Sequence, residues 1–223
     1  MEMMQNSYNF VNQFWEGKKG YIFLPRLTKD GGWIEGEPIF YSESTIDDVW
    51  EEIKKLQKSE DNVYFCPNVF TGKKRMNKYA KSTQWLWADT DNGFVDIPCK
   101  PTVLVQTSEK SYQSYWKLTR TLDNEEHNAL NRIVNWSQEA DRNGWGLTKV
   151  LRLVGTNNYK RDTSFEVKVS HSNDNIYTPE EMMKSALIHF DKEWVKNFGK
   201  GKFISAIEMF DVEWEEYENK YTI

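Results

Sequence analysis

The stretch Gln84-Trp85-Leu86-Trp87-Ala88-Asp89, followed by Thr90 and Asp91, constrains the fold more than any other part of the chain. A run of large apolar residues this short, bounded by polar ones, reads as a buried strand. It ends in two acids spaced by two, so both carboxylates point to one face. Two like charges at the end of a buried strand are costly unless something neutralises them. The strand therefore has to sit inside a sheet with its end open to a counter-charge. Oxygen-rich sites of this kind suit Mg²⁺ or Mn²⁺. The sequence Asp91-Asn92-Gly93 is also good turn chemistry, so the pair can equally be a polar strand end.

The remaining pattern predicts what surrounds that strand. Residues 20–24 and 34–41 read as strands joined by a turn around 30–32, and 63–66, 102–107 and 113–118 as further strands. Thr45 with Asp48 predicts a capping box, opening a helix whose stripe is Ile46, Val49, Trp50, Ile53 and Leu56. Asp123 with Glu126 opens a second helix, running toward Asp141. Residues 150–154 and 164–169 read as extended, and Thr178-Pro179 with Glu181 starts another helix. Strands at hairpin spacing, interleaved with two long helices, predict an α+β domain with a mostly antiparallel sheet backed by helices. The part from 176 to 223 is expected to be a small helical C-terminal appendage.

A length of 223 residues suits one substantial domain, and ten tryptophans supply core material. The net charge of −5 argues against a general positive coat, though a local basic channel can sit on an acidic body. Cys66 and Cys99 are too few for a zinc finger or a disulfide framework, so a reduced, cytoplasmic setting is the expectation. The first fifteen residues lack the pattern of a signal peptide, and no apolar run is long enough for a membrane span. His127, His171 and His189 have no ligand spacing, which removes a nuclease built on paired histidines.

The second informative stretch runs from Lys149 to Arg161. Arg152 falls in an otherwise apolar strand pattern, Gly155-Thr156-Asn157 forms a turn whose amides can approach an anion, and Lys160 and Arg161 follow. Arginine suits bidentate phosphate contact and lysine a point charge. An edge strand with basic decoration reads equally well. The basic loop at 71–81 offers Lys73, Lys74, Arg75, Lys78 and Lys81 to a nucleic-acid backbone and Tyr79 to a base, or is a solvated surface.

Together, Asp89 and Asp91, residues 105–116 (VQTSEKSYQSYW), Asp141, and residues 152–160 (RLVGTNNYK) resemble the plasmid, phage and CRISPR-associated primase-polymerases of the archaeo-eukaryotic primase superfamily. Residues 63–76 resemble the lead-in before the Asp-x-Asp of such enzymes. The resemblance covers about residues 60 to 170 and implies a catalytic core over 1–175 with an RRM-like sheet. It implies that Asp89, Asp91 and Asp141 are catalytic and hold two Mg²⁺ or Mn²⁺ ions. It places Lys110, Ser111, Gln113, Arg152, Asn157 and Lys160 on the nucleoside triphosphate, and it implies primer synthesis and extension on single-stranded DNA. Gln113 stands where the family has a histidine; glutamine donates a hydrogen bond but cannot become cationic. The template path is assigned to Lys73, Lys74, Arg75 and Lys78. A helicase or other domain can accompany such a core in a longer protein. Two other readings compete: a manganese-dependent glycosyltransferase using Asp-x-Asp, and an inert single-strand-binding module of RRM type.

Overall fold

The computed structural model describes residues 2–160, 164–189 and 192–213; Arg161 and the acidic end beyond 213 lie outside the described residues. The chain opens with helix α1 (Glu2–Trp15) and four short strands, β1 (Gly20–Ile22), β2 (Arg26–Leu27), β3 (Trp33–Ile34) and β4 (Ile39–Tyr41). Helix α2 (Ile46–Gln57) and strand β5 (Asn62–Phe65) follow. Next come β6 (Thr83–Thr90), β7 (Val103–Gln106), β8 (Tyr112–Leu122) and helix α3 (Asn124–Ser137). Five short strands come after it: β9 (Leu151–Arg152), β10 (Asn157–Asn158), β11 (Phe165–Glu166), β12 (Lys168–Ser172) and β13 (Ile176–Tyr177). Helices α4 (Pro179–Leu187), α5 (Lys192–Phe198) and α6 (Lys200–Glu208) close the described chain.

Strand β8 is the axis of the main sheet. It pairs antiparallel with β6 on one edge and with β7 on the other, and β12 adds outside β7. Only β13 joins parallel, through Ile176 and Tyr177. The sheet is thus mostly antiparallel and backed by helices, as expected. A second sheet, ordered β3-β2-β5-β9, places Arg152 opposite Tyr64. The expected boundary at residue 176 falls on β13, and α4, α5 and α6 complete the core begun by α3.

Strand β6 feeds two cores by simple alternation. Trp85 and Trp87 enter one with Phe10, Phe14, Phe65 and Tyr115; Leu86 and Ala88 enter the other with Trp116, Leu118 and the face of α3. The α1 contribution was not expected from the sequence, although Phe10, Val11, Phe14 and Trp15 repeat at helical spacing and are all buried.

Local signals fared unequally. The boxes at Asp123/Glu126 and Thr178/Glu181 both form. Thr45 does not cap α2 through Asp48. Its hydroxyl donates to the Phe40 carbonyl at 2.6 Å and accepts from the Ser42 amide at 2.9 Å, closing the turn before the helix. Residues 150–154 contain only the two-residue β9, because Gly155 turns the chain at φ +76° and Thr156 Oγ1 bonds back to Leu153 O. Helix α3 stops at Ser137, so Asp141 stands in the loop beyond it.

Candidate active site

Alternation along β6 puts Asp89 on the face of Trp85 and Trp87, where the sheet runs out of apolar partners. Its cross-strand neighbour is Gln113 on β8. Gln113 is buried, donates from Nε2 to Asp89 Oδ1 at 3.3 Å and accepts from Tyr115 Oη at 3.2 Å. Its amide is therefore engaged with the acid rather than left free for a triphosphate. Asp89 keeps about a third of its side chain open, at 32% exposure, yet burial raises its pKa. Lys149 and the Gln113 hydrogen bond pull the other way, and Asp91 adds to the rise.

Lys149 is the residue that sequence reasoning missed. Its ammonium lies 3.2 Å from Asp141 Oδ2 and 3.9 Å from Asp89 Oδ2, bridging acids fifty-two residues apart in the chain. Burial acts to raise the Asp141 pKa, but the Asn143 amide and Lys149 outweigh it, and the net shift is downward. The loop that returns Lys149 is held at several points. Asp141 N donates to Asp89 O at 3.3 Å, and Asn131 accepts from Trp87 N while donating to Trp145 O, both at 2.8 Å. A Cβ on Gly144 would fall 2.9 Å from Asp141 O and 3.4 Å from Lys149 Nζ, so only glycine lets the loop close this tightly.

Arg152 is 8% exposed, donates to Asn62 Oδ1 at 2.8 Å and stacks over the Tyr64 ring at 5.1 Å. Burial lowers its pKa, opposed by Tyr64, Asp89 and Asp91; at this intrinsic basicity the guanidinium stays charged.

One cleft of about 630 Å³ gathers these groups. Asp89, Asp91 and Asp141 line it together with Gln113, Ser111, Arg152 and Lys160. Seven of the expected site residues thus share a single space. Thr107, Ser108 and Asn158, which the sequence did not single out, line it too. Asn157 does not: β10 alternates, so Asn157 is exposed while Asn158 is buried, bonding Thr107 O at 2.7 Å and accepting from Lys160 N at 3.1 Å. Lys110 is also outside the lining; its carbonyl accepts from Gly93 N. In the basic loop, Lys73, Lys74 and Lys78 are exposed. Arg75 is turned inward, forming a fork on Glu35 at 2.6 and 2.9 Å and donating to Thr148 O. It braces the segment before Lys149 instead of facing outward with the lysines.

The carboxylates offer a hard, all-oxygen donor set, and two of them already share one cation, Lys149. Among the described residues no three histidine, cysteine or acidic side chains stand close enough to clasp an ion jointly. No helix among them is long and apolar enough to cross a membrane.

No protein-family model matches the sequence, and no curated protein matches it. Solved structures do. The archaeo-eukaryotic primase domain of the cyanophage S-2L primase-polymerase superposes with a TM-score of 0.60 at 13% identity, covering 82% of this chain and 97% of that one. The catalytic domain of primase RepB′ in complex with initiator DNA gives 0.59 at 15% identity, over 82% and 93%. Primase RepB′ gives 0.59 at 15%, over 93% of this chain and 69% of that one. A likeness spanning nearly whole domains gives this chain the fold of these primase domains.

Proposed function

We propose that the chain is a metal-dependent nucleotidyltransferase that makes and extends primers on single-stranded DNA from nucleoside triphosphates. The observation that carries this reading is the opposition of charge inside one cleft. Three carboxylates line it alongside Arg152 and Lys160, the pairing that transfer between a hydroxyl and a triphosphate needs.

Asp89, Asp91 and Asp141 are the residues that would hold Mg²⁺ or Mn²⁺. The donor chemistry fits; the three carboxylates would have to draw closer together, and Lys149 would have to yield its place between two of them. Bound there, the metal supplies Lewis acidity at the reacting phosphate and lowers the pKa of the attacking hydroxyl. The protein does the positioning. Arg152, rigid on Asn62 and Tyr64, presents a fork to phosphate oxygens, and Lys160 adds a point charge. Gln113 fixes the Asp89 rotamer. In the reaction the primer 3′-oxygen bonds to the α-phosphorus while the bond from that phosphorus to the β-bridging oxygen breaks. Pyrophosphate leaves and the hydroxyl proton passes to solvent.

Lys73, Lys74 and Lys78, exposed beside Tyr79, are the proposed template contacts. The mostly antiparallel sheet disfavours the glycosyltransferase reading, which expects alternating strands and helices in a nucleotide-binding sheet. The test is primer synthesis and extension on a single-stranded DNA template with labelled nucleotides and Mg²⁺ or Mn²⁺. Metal-dependent product is expected. DNA binding without incorporation under either metal would leave the inert binding module instead.

A further inference from the structure

We infer that Trp33, on the β2–β3 hairpin, is a stacking platform for one unpaired base of the single-stranded template. This rests on the nucleotidyl-transfer reading and adds to it a contact made to a base, where the lysines reach only phosphates.

Trp33 is 46% exposed and is the only exposed tryptophan among the described residues. A lone apolar side chain at a surface needs no function. This one is fixed in place. The hairpin is closed by Thr28, whose amide donates to Gly32 O and whose Oγ1 accepts from Gly32 N, both at 2.9 Å. Gly31 makes the turn at φ +82°. The register sets Trp33 opposite Leu27. Its ring lies 5.5 Å from that of Tyr64, tilted by 46°, and its Nε1 donates to Glu35 Oε2 at 3.1 Å. An indole already held at its edge and on one side gives up little freedom when a base stacks on it.

Its neighbours show what it stands between. Leu27 and Tyr64 line the cleft, and Tyr64 carries the Arg152 guanidinium at 5.1 Å. Trp33 is outside that lining, one ring farther out than the space assigned to the triphosphate. Glu35, which holds the indole, is also the carboxylate that receives the Arg75 fork from the basic loop. The same loop carries Lys73, Lys74 and Lys78, all exposed. A strand held by those lysines and entering the cleft meets the indole on its way. Every base has a π-face, so such a contact tolerates any sequence. Arg75 is neutralised by Glu35, so the indole has a balanced pair at its edge. Its contribution should therefore be insensitive to salt, unlike that of the lysines.

The experiment measures binding of a fluorescent single-stranded oligodeoxynucleotide in which one abasic residue is moved along the strand. Wild type should show a position where loss of the base weakens binding about tenfold, within the range for one stacked base. Trp33→Ala should bind the intact strand about tenfold more weakly and be indifferent to the abasic residue at that position. Its slope of log affinity against log salt should equal that of wild type, whereas Lys73→Ala lowers the slope. Its affinity for a deoxynucleoside triphosphate with Mn²⁺ should not change. Trp33→Phe keeps a ring and should retain most of the strand affinity, which separates stacking from any disturbance of the hairpin by alanine. The assignment is overturned by undiminished strand binding in Trp33→Ala, by an abasic effect that survives in it, or by a parallel fall in nucleotide affinity. It is also overturned if wild type binds no single strand. Because every readout is binding, the platform is decided independently of turnover. Strand binding that depends on Trp33 without any incorporation would sink the nucleotidyl-transfer reading alone.

Discussion

Strand β6 has two halves that answer to different demands. From Trp85 to Ala88 its side chains are closed off by packing: Trp85 sits 4.6 Å from the Phe14 ring and donates to Gln13 O, and Trp87 lies 4.7 Å from the His127 ring. From Asp89 to Asp91, the latter just past the end of the strand, the same alternation delivers carboxylates, and burial leaves Asp89 uneasy. Asp89 is raised by burial and only partly relieved by Lys149 and Gln113. One half holds the sheet together, and the other keeps an unmet demand for positive charge. Sites that break the local rule in this way are where function is expected.

The sharpest test substitutes the second half. Asp89→Asn or Asp91→Ala should lower nucleotide incorporation by more than about a thousandfold, because metal catalysis contributes several kcal/mol to such transfers. Thermal unfolding should stay within about 1 kcal/mol of wild type, since one of two repelling charges is gone. Primer-extension rates and calorimetry check both. Incorporation within tenfold of wild type would erase the distinction between the halves.

The mirror experiment is Trp87→Ala, which should cost about 3–5 kcal/mol of stability as read by urea unfolding. A loss below about 1 kcal/mol would mean the first half is not the structural one.

Between these extremes lies His127, buried beneath Trp87 with Nε2 3.2 Å from Trp85 O. Burial pushes its pKa down to about 3. The unfolded chain therefore binds a proton near the usual histidine pKa that the folded chain refuses. Stability is full above roughly pH 6.5 and falls as pH drops toward 3, by about 1.4 kcal/mol per pH unit. Unfolding free energy against pH should show this slope in wild type. His127→Gln should flatten it, and an unchanged slope would assign it to other groups.

The first half of β6 was legible because its message is local: alternation, bulk and length all sit within a few residues. So were the boxes at Asp123 and Thr178, each a spacing of three. Thr45 shows the limit of such signals. It carries the same spacing, yet Phe40 and Ser42 compete successfully for its hydroxyl. The acids were legible as a pattern, and their partners were not. Gln113 meets Asp89 through strand register, and Asn158 replaces Asn157 because a two-residue strand fixes which side chain turns inward. Lys149 is invisible in sequence because the whole loop after α3 has to return before it touches anything acidic. Arg75 read as one more cation until Glu35, forty residues away, claimed it.

The smallest expected effect belongs to Lys149, and it is the most discriminating. Its ammonium holds Asp89 and Asp141 together, so Lys149→Met removes a favourable contact with each. Asp141 is 53% exposed and Asp89 32%, so solvent screens the loss to under about 1 kcal/mol of stability. The same substitution acts in the opposite direction on a divalent ion, because a cation competing for those oxygens is gone. Removing a unit charge at this range is worth about 1 kcal/mol where screening approaches that of bulk water, roughly fivefold in affinity. The metal-free variant should thus unfold slightly more easily while binding Mn²⁺ more tightly, so added Mn²⁺ raises its melting temperature more than that of wild type. Titration calorimetry with Mn²⁺ alone, without nucleotide, reads the second effect directly. If Mn²⁺ binding weakens instead, Lys149 acts by keeping the two carboxylates aimed at one another, and the uneasy half of β6 owes its geometry to that lysine.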